Sequence, residues 1–174
     1  MYRLGDKLLS RDEISARVEE LADRINRDYE GRELCAVCVL KGAFVFFADL
    51  VRRIRVPLLL DFMAVSSYGV STVSSGVVKI TKDLDLEITG KEVLLVDDIV
   101  DSGLTLDYIK RVLLDREPKS LEICVLLEKP ERRKIDFPVK YVGFSIPDRF
   151  VVGYGLDVAG LYRNLPDIHV VEKA

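Results

Sequence analysis

The sequence predicts a single α/β domain of three layers, in which helices cover both faces of a mainly parallel sheet. Apolar runs of strand length alternate with segments of helical periodicity, an alternation that implies parallel strands joined by right-handed crossovers. The length of 174 residues suits one domain over residues 1–174. The 49% apolar and 32% charged residues are typical of a folded globular protein.

The first predicted element is a helix that begins at Ser10. Ser10 and Glu13 have the spacing of a capping box, in which each side chain bonds the backbone N–H of the other residue. Apolar residues then recur at helical spacing until Gly31 ends the helix. The apolar run at residues 34–40 has strand length and therefore predicts a strand buried on both faces.

The remaining elements continue the alternation. The segment 66–76, rich in Ser, Thr and Gly, predicts a long loop. A strand at 92–96 is followed by a polar turn at 97–105, which leads into a helix at 104–115. The other predicted elements are a helix at 43–53 and strands at 58–65, 77–81, 121–127, 140–144, 150–152 and 168–171.

Charge and composition exclude several classes of protein. Lys and Arg total 26 against 29 Asp and Glu, a net charge of −3, so the cationic footprint of a nucleic-acid or membrane-surface protein is absent. The longest apolar runs are too short to span a bilayer, and the first residues lack the apolar core of a secretory signal. Three cysteines cannot form a closed disulfide framework. This predicts that the protein resides in the reducing cytoplasm.

Cys35 and Cys38 match the C-x-x-C pattern of redox and metal sites. Both lie inside the predicted strand 34–40, where positions three apart point to opposite faces of the sheet. No second cysteine pair follows, and His169 is the only histidine. We therefore interpret the cysteines as core residues and His169 as structural.

The segment 97–105 carries the strongest chemical signal. Asp97, Asp98 and Asp101 follow a buried strand, and 102–105 then enters a helix. Ligands of parallel sheets bind beyond the carboxyl ends of the strands, and a helix N-terminus with glycine and hydroxyl groups cradles phosphate. Ribose hydroxyls or Mg²⁺ would reconcile three carboxylates with a phosphate. Helix capping on a solvated turn is the alternative, but capping needs only one such residue.

Several motifs together resemble a known family. Val96-Asp-Asp-Ile-Val-Asp-Ser-Gly-Leu-Thr105 resembles the phosphoribosyl-pyrophosphate (PRPP) signature of type I phosphoribosyltransferases. From about Gly5 to Val171 the chain is similar to the hypoxanthine-guanine phosphoribosyltransferase family, although that family more often has Glu-Asp as its acidic pair. The resemblance implies the type I phosphoribosyltransferase fold, with a small hood subdomain beside the central sheet.

The resemblance also implies a role for each matching residue. Asp101 matches the general base. The residues that match contacts to PRPP are Lys41, Gly42, Asp97, Asp98, Ser102, Gly103, Leu104, Thr105 and Arg163. Ser67 and Tyr68 match the start of a mobile catalytic loop, and the purine site is matched by Lys129, Phe150 and Val151. The matching ligands of Mg²⁺, the implied cofactor, are Asp97, Asp98 and Asp157.

Local sequence alone favours plainer interpretations of the outlying residues. Lys129 lies in a charged run and would be solvated, whereas Phe150 would be a core aromatic residue. Asp157 and Arg163 would be surface charges. Only the family resemblance assigns these four residues to a site.

The implied function is purine salvage, with PRPP and a 6-oxopurine base as substrates and a homodimer or homotetramer as the assembly. A nucleotide-sensing, RNA-binding regulator on the same fold is the alternative. The net charge of −3 and the short basic cluster at 131–134, which is mixed with acidic residues, disfavour that alternative.

Overall fold

The computed structural model describes residues 1–67 and 78–173, which form nine strands, three α-helices and a 3₁₀ helix. The strands are β1 (Tyr2–Leu9), β2 (Leu34–Leu40), β3 (Leu58–Ser67), β4 (Val78–Lys82), β5 (Glu92–Val100), β6 (Ser120–Glu128), β7 (Tyr141–Ser145), β8 (Val151–Val152) and β9 (Ile168–Lys173). The helices are α1 (Arg11–Asp28), α2 (Phe44–Val51), α3 (Leu104–Leu114) and the 3₁₀ helix Pro130–Arg132. Among the described residues, no helix combines the length and apolarity needed to cross a bilayer.

A six-stranded sheet forms the centre of the molecule, in the order β4-β3-β2-β5-β6-β7. Strands β3, β2, β5, β6 and β7 run parallel, and only β4 is antiparallel, because it forms a hairpin with β3. The prediction of a mainly parallel sheet is therefore confirmed.

Helices cover both faces of this sheet and give the three predicted layers. Alternate residues of β2 belong to two hydrophobic cores, one on each face of the sheet. Ala36 and Cys38 pack with α1 and α2, while Cys35 and Val37 pack with α3. The two cysteines consequently face opposite sides, as their spacing predicts, and burial raises the pKa of the Cys38 thiol to about 12. They belong to the hydrophobic core.

A second, antiparallel sheet has the order β1-β9-β8 and corresponds to the hood that the resemblance implies. Its small core consists of Val152, Val158 and Val171. Sequence analysis missed β1, since Leu9 is its only buried residue and its partner lies at the other end of the chain. His169 lies on β9 with Nδ1 3.3 Å from the carbonyl oxygen of Gly5.

Three predicted boundaries bear on the site. Ser10 is the N-cap of α1, and its hydroxyl accepts the N–H of Glu13 at 3.1 Å, as predicted. The other half of the predicted capping box is wrong, because Oε1 of Glu13 accepts the Ser10 hydroxyl at 3.2 Å rather than the backbone N–H of Ser10. The prediction of a turn beginning at Asp97 is wrong, because β5 stays paired with β6 as far as Val100. The predicted loop 66–76 also begins too early: residues 66 and 67 belong to β3, and the rest of it, including Tyr68, lies outside the described residues.

Candidate active site

The candidate site lies at the carboxyl edge of the central sheet, where parallel strands end together. Strand β2 ends at Leu40, and the peptide bond between Leu40 and Lys41 is cis. Strand β5 ends at Val100 and β6 at Glu128. The segments that follow these three strands contain half of the residues that the sequence assigns to chemistry.

The turn between β5 and α3 forms an anion cradle. Gly103 is the N-cap of α3 with φ 87°, a left-handed conformation that favours glycine, and a Cβ there would lie 3.0 Å from the Phe137 ring. The first intrahelical bond runs from the N–H of Asp107, so the preceding amides lack intrahelical partners. A cavity of about 90 Å³ is lined by Asp97, Ile99, Val100, Asp101, Ser102, Gly103, Thr105 and Leu106.

The acidic pair lies within β5 and is held by backbone groups. Oδ1 of Asp97 accepts the N–H of Asp98 at 2.8 Å, and Oδ1 of Asp98 accepts the N–H of Ile99 at 2.8 Å. Burial raises the pKa of Asp97 well above its ordinary value, and the adjacent charge of Asp98 raises it further. Burial also raises the pKa of Asp98. A cation or several donors would be needed to keep both carboxylates ionised.

Two glycines let the segment after β2 approach this pair closely. A Cβ on Gly42 would overlap Oδ2 of Asp98, and a Cβ on Gly155 would overlap the carbonyl oxygen of Gly42. Arg163 donates to the carbonyl oxygen of Gly155 at 2.7 Å and pairs with Asp157 at 3.0 Å. Backbone packing therefore joins the Lys41-Gly42 segment to Asp98 and Arg163.

A second cavity of about 170 Å³ adjoins the cradle. It is lined by Asp98, Ile99, Asp101, Lys129, Phe150, Val151, Leu156 and Asp157. Lys129 is only 7% exposed, so the solvated charge favoured by its local sequence is wrong. Phe150 is 53% exposed and stacks on Tyr2 with ring centroids 6.4 Å apart, so it is not a core residue. We call this cavity the Lys129 pocket.

Asp101 lines both the cradle and the Lys129 pocket. Its Oδ1 accepts Nε of Arg132 at 2.6 Å, and its Oδ2 lies 3.9 Å from Nζ of Lys129. A carboxylate at this junction is placed to act between a ligand in the cradle and a ligand in the pocket.

Some predicted site residues lie outside these two cavities. Lys41 and Leu104 line neither, and Ser67 is described only as the end of β3. A larger cavity of about 660 Å³ between α1, α2 and residues 154–166 shares Arg163 with the site. It contains none of the acidic residues of β5, so we do not identify it with the chemistry.

Sequence reasoning missed two charged residues of the site, Arg132 and Asp148. Asp148 lies 3.9 Å from Lys129 and 3.5 Å from Arg132. The available signal for Asp148 was its position shortly after β7, since ligand-binding loops follow the carboxyl ends of parallel strands.

The carboxylates suit Mg²⁺ only in combination with a substrate. Among the described residues, no group of three or more His, Cys, Asp or Glu side chains could hold a metal ion. Asp98 and Asp157 line the Lys129 pocket, whereas Asp97 lines the cradle beside it. Mg²⁺ commonly binds one or two carboxylates together with phosphate oxygens and water, which this donor set matches.

Comparisons with known proteins define the class. A family model described as a phosphoribosyl transferase domain matches residues 5–159. The hypoxanthine-guanine phosphoribosyltransferase of Aquifex aeolicus is 53% identical over 166 residues, which cover 95% of this chain and 93% of the relative. The enzyme of that name from Bacillus subtilis is 51% identical over 167 residues, covering 96% and 93% respectively.

Solved structures agree with these relatives. A crystal structure of a hypoxanthine-guanine phosphoribosyltransferase from Bacillus anthracis superimposes with a TM-score of 0.93 at 49% identity, covering 99% of this chain and 100% of that one. The chain belongs to the hypoxanthine-guanine phosphoribosyltransferase family and is an enzyme.

Proposed function

We propose that this enzyme transfers the phosphoribosyl group of PRPP to N9 of hypoxanthine or guanine. The products are the nucleotide, IMP or GMP, and pyrophosphate, so the reaction is a purine-salvage step. The observation that carries the proposal is the position of Asp101, which lies between an anion cradle and a pocket that contains a buried lysine. The net charge of −3 continues to disfavour the RNA-binding alternative.

The proposal assigns PRPP to the cradle and its surroundings. The amides of residues 102–105 and the positive end of α3 would bind the 5′-phosphate. Asp97 and Asp98 would hold the ribose hydroxyls, and Lys41, Gly42 and Arg163 would contact the pyrophosphate. Ser67 and Tyr68 keep their predicted role at the start of a catalytic loop.

The base would occupy the pocket of Lys129. An ammonium group has three donors and no acceptor, so Lys129 can bond the 6-oxygen of hypoxanthine or guanine. Phe150 would stack on the ring, and the backbone of Val151 would contact its edge. The proposal thereby explains both the burial of the lysine and the exposure of the aromatic ring.

Catalysis would depend on charge neutralisation as the bond between the anomeric carbon and pyrophosphate breaks. The anomeric carbon develops oxocarbenium character, and the amides and cations near Gly42 and Arg163 would stabilise the departing pyrophosphate. Asp101 would take a proton from the purine ring as the bond to N9 forms. Mg²⁺, held by Asp97, Asp98 and Asp157 together with substrate oxygens, would supply further neutralisation of negative charge.

The proposal includes the setting of the enzyme. We place it in the cytoplasm as a homodimer or homotetramer that binds neither nucleic acid nor membrane. The buried free thiols of Cys35, Cys38 and Cys124 are consistent with a reducing compartment.

A nucleotide-synthesis assay tests the proposed function. The purified chain is incubated with PRPP, Mg²⁺ and one of five bases (hypoxanthine, guanine, xanthine, adenine or uracil), and the products are separated by chromatography. We expect nucleotide from hypoxanthine or guanine, and none when PRPP or Mg²⁺ is omitted. Absence of product from both 6-oxopurines, with intact PRPP recovered, would refute the proposal.

A further inference from the structure

Two cationic and two acidic side chains, in which each cation lies between the two acids, are found at one side of the Lys129 pocket. Arg132 approaches Asp101 to 2.6 Å through Nε and Asp148 to 3.5 Å through Nη1. Lys129 lies 3.9 Å from each of the same two carboxylates. We call these four residues the charge square; Arg132 and Asp148 are the two members that have no role in the proposed reaction.

The topology of the sheet brings the charge square together. Strand β6 lies between β5 and β7, so Asp101 after β5 and Asp148 after β7 flank the segment that follows β6. That segment is a 3₁₀ turn, closed by the N–H of Arg132 donating to the carbonyl oxygen of Lys129 at 3.1 Å. Lys129 is the N-cap of this 3₁₀ helix and Arg132 is its last residue, and the measured distances place both cations within 3.9 Å of both acids.

The two cations lie at different distances from the acids. Arg132 takes one oxygen of each acid, at 2.6 Å and 3.5 Å. The separations of 3.9 Å leave Nζ of Lys129 beyond hydrogen-bonding distance of both acids. The N–H donors of Lys129 thus remain available to a purine, and Oδ2 of Asp101 remains available as an acceptor.

We propose that Arg132 is a positioning residue for the purine site, an inference that rests on the proposed function. By holding Asp101 and Asp148, Arg132 keeps the general base from closing on Lys129 to hydrogen-bonding distance, a contact that would occupy both groups that must meet the purine. The side chains of Arg132 and Asp101 are 49% and 41% exposed, so this pair contributes little to the free energy of unfolding. Its value is in placing groups for the substrate.

Arg132→Gln tests the inference. Without the guanidinium, Lys129 closes to hydrogen-bonding distance of Asp101, and that hydrogen bond must break before each purine binds. We expect kcat/KM for hypoxanthine to fall about 10- to 100-fold, through a higher KM for the base and a lower kcat. The Kd for PRPP and the melting temperature should stay unchanged. Arg132→Lys should recover only part of the loss, since a lysine cannot fork to two carboxylates.

A matched control is Arg111→Gln on α3, which removes the same group from Arg111, a 73% exposed side chain that pairs with Asp107 at 2.7 Å. It should leave every parameter unchanged. A double-mutant cycle provides the decisive comparison: if Arg132 acts through Asp101, Arg132→Gln should cost little further kcat in the Asp101→Asn background.

Two outcomes would overturn the inference while the wild-type enzyme is active: unchanged kcat/KM in Arg132→Gln, or the same fold loss with and without Asp101→Asn. A wild-type protein that binds PRPP but makes no nucleotide would instead refute the proposed function. The wild-type assay therefore separates the two failures.

Discussion

Replacement of Lys129 by methionine tests base recognition most directly. Lys129 is 7% exposed, and its ammonium is within hydrogen-bonding distance of neither Asp101 nor Asp148, at 3.9 Å from each. The group can bond a 6-oxygen, but it meets the 6-amino group of adenine donor against donor. Lys129→Met removes that discrimination and keeps a side chain of similar length.

The expected magnitude follows from the burial of the lysine. A hydrogen bond to a charged group contributes about 1.5–3 kcal/mol, which corresponds to about 10- to 150-fold in kcat/KM. We expect a loss of this size for hypoxanthine and little change for adenine, so the preference for hypoxanthine shrinks. The Kd for PRPP should change less than about twofold, since the cradle follows β5 and Lys129 follows β6.

The assay compares initial rates with hypoxanthine and adenine at saturating PRPP, and titration calorimetry measures PRPP binding separately. Lys119→Met is the matched control, because Lys119 is 67% exposed and lies 3.8 Å from Glu92, away from the site. An unchanged ratio of the two kcat/KM values in Lys129→Met would refute the reasoning. Base selection would then come from backbone groups near Val151.

Three other substitutions test the cradle and the acidic residues. Gly42→Ala places a Cβ where Oδ2 of Asp98 lies, so calorimetry should show PRPP binding weakened roughly 10- to 100-fold; wild-type affinity would mean that the loop has room to move. Asp101→Asn should lower kcat by about 10²–10⁴ in single-turnover assays, with PRPP binding retained, and near-normal turnover would remove Asp101 from the mechanism. The pKa of Asp97 is higher in the folded state than in the unfolded state. The free energy of unfolding of the metal-free protein therefore falls as pH rises from the unfolded-state pKa through the folded-state pKa. Asp97→Asn should therefore raise the melting temperature at pH 7 in EDTA and make it less dependent on pH. Each kcal/mol added to the free energy of unfolding corresponds to an increase of about 2–4 °C. An equal or lower melting temperature would contradict this.

Elements with strong local signals could be predicted from the sequence. Strand β2 has the predicted bounds, because an apolar run of seven residues has one stable location in a covered sheet. The capping residue of α1 is also as predicted, since a cap depends on neighbours within one turn. Strand β1 could not be predicted in this way, because it is mostly exposed and its pairing partner is β9.

The candidate site divides along the same line. The residues of the segment 97–105 are adjacent in sequence, so their convergence follows from one strand-to-helix connection. The burial of Lys129 could not be predicted from its charged neighbours, because it depends on Asp101 and Asp148 from the loops after two other strands. Contacts between loops are set by strand order, which local periodicity does not contain.

The pairing of β1 with β9 has a consequence for how the enzyme is made. Tyr2 lies opposite Lys173, so the hood closes only after β9 has been synthesised. Phe150 depends on that closure from two sides, because its ring stacks on Tyr2 and its carbonyl oxygen accepts the N–H of Val171 at 2.8 Å. The central sheet can form earlier, from contacts nearer in sequence. Residues 92–105 can thus reach their folded arrangement before β9 places the Phe150 ring against Tyr2.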